Sequence, residues 1–75
     1  MELKRNFVVR LNKLIVENDV TAEELSAEID IGLPVCIQMM RGVTMPKAIT
    51  LCRIADYFGC SIDYLLGRSE VYSVV

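Results

Sequence analysis

Residues 21–42, TAEELSAEIDIGLPVCIQMMRG, hold two short helical runs around a tight break, and their spacing sets the reading of the whole chain. Thr21 stands before an apolar-periodic run and Glu24 follows three residues later. At that spacing the threonine hydroxyl accepts from one orphan backbone N–H while the glutamate reaches back to another, which starts a helix. Val20 and Leu25 occupy the two positions from which apolar side chains clasp across such a start. The run goes from Ala22 to about Ile29, and Asp30-Ile31-Gly32 breaks it. A second run extends from Leu33 to about Met40, with Gly42 stopping it just beyond Arg41. Gly32 is a weak cap for it. Pro34 fits there because a proline in the first helical turn loses no intrahelical hydrogen bond.

Outward from this core, residues 3–17 form the first helix. Leu3, Phe7, Leu11, Leu14 and Ile15 make one apolar stripe at helical spacing, and Asn18-Asp19 closes it. Beyond the Gly42–Met45 loop, Pro46 opens a fourth helix that continues to about Phe58, with Ile49, Leu51, Cys52, Ile54 and Ala55 turned largely inward and Gly59 ending it. Ser61 caps a short fifth helix, Ile62 to Leu66, stopped by Gly67. The expectation is an all-α fold of five short helices over residues 1–68, followed by an apolar tail at 69–75. That tail alternates enough to add an edge strand if a partner supplies one, and is expected to fray alone.

Seventy-five residues make one small domain without room for a sizeable catalytic cleft. A chain this short buries only about 60% of its unfolded surface. Its apolar fraction is 53%, more than a lone small core readily hides, so self-association or an apolar binding face is expected. Three cysteines form no CxxC pair and there is no histidine, which argues against a metal site. Cys36 and Cys52 sit at core spacing, whereas Cys60 is expected to be loop-exposed. Scattered thiols fit a reducing, cytoplasmic setting. Asp56 and Asp63 form no acid/base pair and no nucleophile has a histidine beside it, so neither catalysis nor a cofactor is expected. No stretch approaches the ~18 apolar residues of a membrane span, and no signal-peptide pattern opens the chain.

The order of helices resembles the lambda-repressor-like, Cro/C1-type helix-turn-helix domains over roughly residues 7–68. The pieces that carry the resemblance are TAEEL at 21–25, Arg41-Gly42 followed by Pro46, and above all IADYFGCSIDYLLGR at 54–68. The resemblance implies a lambda-repressor-like bundle, with the third helix in the major groove of double-stranded DNA and the start of the second on the backbone. It also implies a small transcription regulator working as a homodimer, of phage, mobile-element or bacterial origin.

Carried over position by position, the resemblance meets departures. The amide that usually follows the capping threonine falls on Ala22. The polar residues that usually open the third helix fall on Gly32, Leu33, Pro34 and Val35, none of which hydrogen-bonds a base edge through its side chain. Gln38 is the one base-reading type left on that helix, and Arg41 and Lys47 remain for phosphates. Arg10 and Lys13 make the first helix locally basic, with Lys4 and Arg5, although the net charge is −2 and works against tight non-specific binding. The family's usual arginine late in the first helix and glutamate late in the third fall on Ile15 and Met40, so both partners of an ion pair are replaced by apolar residues together. The candidate DNA contacts are therefore Gln38, Arg41, Lys47, Lys13 and Arg10. An alternative stays open: a protein-interaction or dimerisation module on the same scaffold, using Leu33, Pro34 and Ile37 or the tail residues Val71, Tyr72 and Val74.

Overall fold

The computed structural model describes residues 2–72, and five α-helices follow one another along it. They are α1 Leu3–Glu17, α2 Ala22–Glu28, α3 Leu33–Met40, α4 Ala48–Phe58 and α5 Ile62–Leu65. No strand occurs among the described residues. The expected helix order is present.

Capping chemistry explains the starts. The Thr21 hydroxyl accepts from Glu24 N at 3.1 Å and Glu24 Oε1 accepts from Thr21 N at 2.9 Å. Ser61 Oγ accepts from Tyr64 N at 2.9 Å and starts α5. Helix α4 begins at Ala48, with Lys47 in the capping position and no side-chain cap bond, two residues after the proline expected to open it.

The ends share a left-handed turn. After α1 it is Asp19 (φ 54°), after α2 Asp30 (φ 57°), and after α3 Gly42 (φ 77°). Val20, Ile31 and Val43 then donate back to Ile15, Ser26 and Gln38, which satisfies carbonyls that would otherwise be orphaned. Aspartate tolerates this conformation better than most side chains, so two of the sharp turns need no glycine. Asp30 is the turn of the helix-turn-helix.

The core gathers Phe7, Leu11, Leu14 and Ile15 from α1, Leu25 and Ile29 from the α2 side, Cys36 and Met39 from α3, Ile54, Ala55 and Phe58 from α4, and Tyr64 and Leu65 from α5. Helix α1 packs on both α3 and α5, α2 on α3, and α4 on α5. Asn12 locks the first of these contacts, since its Nδ2 donates to the Val8 carbonyl at 2.8 Å and the Met40 carbonyl at 2.9 Å.

Three expectations need correction. Cys52 is exposed and Cys60 is buried, the reverse of the spacing argument. The buried face of α4 is narrow, carried by Ile54, Ala55 and Phe58, and Ile49 is 60% exposed on the other side. Cys60 follows Gly59 directly, and the left-handed turn there swings it back under the bundle. Burial pushes the thiols of Cys36 and Cys60 above their ordinary pKa. A thiol-reactive reporter added to the native protein is thus expected to modify Cys52 first, with Cys36 and Cys60 reacting only as the fold opens. Three equally fast thiols would contradict the packing.

The third correction concerns the tail. Its described part does not fray but lies back on the bundle. Ser61 N donates to the Tyr72 carbonyl at 2.6 Å, Ser61 Oγ donates to the Val71 carbonyl at 3.1 Å, and the Tyr72 hydroxyl donates to the Phe58 carbonyl at 2.8 Å. Desolvation, aided by Cys60, Tyr64 and Glu17, pushes the Tyr72 phenol above its ordinary pKa. Ser73 and the candidate contact residue Val74 lie outside the described residues.

Candidate nucleic-acid interface

Helix α3 rests on the core through Cys36 and Met39, which fixes what it turns outward. Pro34, Ile37, Gln38 and Arg41 fall on the opposite side at the i, i+3, i+4, i+7 spacing of a single helix face, and all four are exposed. Leu33 is half-buried. Val35 is 45% exposed on the flank of this face, where it joins Met45, Pro46 and Lys47 around a shallow groove between α3 and the start of α4.

The starts of α2, α3 and α4 differ in charge. The first turn of α2 carries Glu23 and Glu24, so negative charge sits where a phosphate would approach. The first turns of α3 and α4 carry no acid and no side-chain cap bond, and exposed Lys47 stands at the second of them. The sequence candidates therefore separate. Gln38 lies on α3, Arg41 caps its end and Lys47 stands at the start of α4.

Arg10 does not join them. Its guanidinium lies 4.2 Å over the Tyr64 ring, donates to the Tyr64 carbonyl at 3.3 Å and pairs with Glu70 at 2.9 Å. It faces α5 and the tail, and its side chain is only 17% exposed. Exposed Lys13 follows one turn later on the same flank. The sequence reading treated the cations of α1 as one group, whereas the fold divides them. Lys4 and Arg5 instead flank a groove with Val8, Val9 and Arg41. Only the packing of α1 against the end of α3 reveals that grouping.

A family model described as Helix-turn-helix matches residues 11–65. The chain belongs to the Cro/C1-type helix-turn-helix family. This family consists of DNA-binding regulators, not enzymes. No curated protein and no solved structure matches the chain. Among the described residues no cluster of metal-ligating side chains occurs, and no helix is long and apolar enough to cross a membrane.

Proposed function

We propose that this protein is a small transcription regulator that binds double-stranded DNA through α3, acting as a homodimer in the cytoplasm of a bacterial, phage or mobile-element host. The outward line Pro34, Ile37, Gln38 and Arg41 carries the reading. A glutamine at mid-helix pairs bidentately with the N6 and N7 of adenine, and apolar side chains beside it meet the C5-methyl of thymine. Both preferences point to A·T pairs, so an A·T-rich half-site is expected. Arg41 and Lys47 supply phosphate contacts at the two sides of the reading helix. Exposed Val16, 78% accessible near the end of α1, supports self-association.

Anisotropy titrations of labelled A·T-rich and G·C-rich duplexes at low salt test this reading. The A·T-rich duplex is expected to bind more tightly. Gln38→Ala should remove about 1–3 kcal/mol of discrimination at one base pair, whereas Arg41→Ala should weaken every duplex alike. Specificity that survives Gln38→Ala would show that the bases are read elsewhere.

The carboxylates of Glu23 and Glu24 at the start of α2 favour a second reading, a protein-interaction module using Leu33, Pro34 and Ile37. Complete absence of DNA binding at low salt, from a chain that still melts cooperatively, selects it.

A further inference from the structure

We propose that Lys4 and Arg5, at the start of α1, form with Arg41 a phosphate clamp that holds the DNA strand running past the C-terminal end of α3. This rests on the reading of α3 as the DNA-facing helix.

Packing builds the clamp. Gly42, in its left-handed turn, lies so close to α1 that an added Cβ would stand 3.3 Å from Val8 Cγ2. Asn12 ties the same corner through the Met40 carbonyl at 2.9 Å. Lys4 and Arg5 sit one turn before Val8 and Val9, and all four line one groove with Arg41. Two contacts from α1 side chains to the backbone at the end of α3 thus place the cations of α1 beside the cation that ends α3.

Charge then identifies the occupant. Of the chain's eight cations, Arg10, Arg53 and Arg68 pair with Glu70, Asp30 and Asp63. Lys4, Arg5, Lys13, Arg41 and Lys47 lie in no ion pair among the described residues, and three of these five line the groove. Glu2 is the single carboxylate on its rim. Positive charge is concentrated here although the chain as a whole carries −2.

Helix stability does not account for it. The first turn of α1 has no acidic residue and no side-chain cap, so Lys4 and Arg5 face the positive end of the helix dipole, where cations are unfavourable. A local conflict of this kind marks a position kept for contact. Arg41 also closes the outward line of α3, so a duplex engaged by that helix carries its strand directly to the groove. An acidic protein segment has the same sign of charge, but it has no such connection to the reading face.

The test is a salt series on a labelled A·T-rich duplex, comparing the full chain with Lys4→Gln, Arg5→Gln and their combination. Each phosphate contact contributes about −0.9 to the slope of log affinity against log salt, so the double variant should flatten it by about 1.8 per protomer. The charge-matched pair Arg53→Gln with Arg68→Gln should leave the slope nearly unchanged, because neither residue lines the groove. All four residues are exposed, and circular dichroism melts of the variants should match the parent. A parent chain that binds DNA with a slope unmoved by Lys4→Gln and Arg5→Gln overturns the clamp and leaves the proposed function standing. A parent chain that binds no duplex overturns both. Loss of binding to a poly-glutamate peptide in the double variant, with duplex binding unaffected, assigns the groove to an acidic protein partner and overturns the clamp as well.

Discussion

Met40→Glu is expected to destabilise the domain by about 2–3 kcal/mol, and adding Ile15→Arg should recover part of that loss. Met40 packs half-buried against the core and Ile15 is 8% exposed. A carboxylate at position 40 therefore enters an apolar corner. Asn12 offers no relief, because both its Nδ2 protons are already committed to the Val8 and Met40 carbonyls. Breaking a fully buried ion pair costs about 3–5 kcal/mol, and the partial exposure of Met40 lowers that figure. A stability of roughly 0.05–0.15 kcal/mol per residue leaves a chain this short little reserve, so the single variant should melt far below the parent. Arginine at position 15 supplies the missing charge. A thermal-melt double-mutant cycle should give a coupling above about 0.5 kcal/mol, and independent effects would show that the two side chains do not face each other.

The same corner shows how much of the fold could be read from the chain. Every helix was legible because each start or end has a local chemical signature. Thr21 and Glu24 form both bonds of the capping box, and Gly42, Gly59 and Gly67 all adopt the left-handed conformation expected of a helix stop. Facing was harder to read. Along α4, Ile49, Cys52 and Ile54 are all apolar, and periodicity alone does not say which of them lies on the narrow buried face. That depends on where α5 packs, which is a tertiary contact. Cys60 was misplaced for a related reason. A residue next to a glycine stop reads as loop, yet the left-handed turn at Gly59 returns it to the core.

The candidate site was legible in its helix and illegible in its charges. The outward set on α3 follows from Cys36 and Met39 being the core pair, a pattern visible at helical spacing. The cations of α1 carry no such pattern. Arg10 and Arg5 are both exposed-type residues on one helix, but they lie five positions apart and so point to different neighbours. Arg10 is drawn to the Tyr64 ring, its carbonyl and Glu70, and Arg5 to the groove beside Arg41. Sequence composition sums such residues; the fold separates them into a structural cation and a surface one.

Removing residues 69–75 should destabilise the domain by about 2–4 kcal/mol without changing its association state. The described part of the tail is bound within its own chain. Truncation deletes three hydrogen bonds, those of Ser61 N and Ser61 Oγ to the Tyr72 and Val71 carbonyls and that of the Tyr72 hydroxyl to Phe58. Each contributes about 0.5–1.5 kcal/mol net. The Arg10–Glu70 pair adds little, since the Glu70 side chain is 87% exposed. Loss of the Tyr72 ring, 5.1 Å from that of Tyr64, uncovers an aromatic that is now buried. Tyr72→Phe keeps the ring and removes only the hydroxyl bond to Phe58, so it should cost about 1 kcal/mol and separate the two contributions. Sedimentation distinguishes the roles left for the tail. A truncated chain that melts lower but keeps the oligomeric state of the parent means the tail is an internal strap and the subunits meet elsewhere, with Val16 on α1 the first residue to substitute. A truncated chain that keeps its melting temperature and falls to monomer would instead place the subunit contact in the tail.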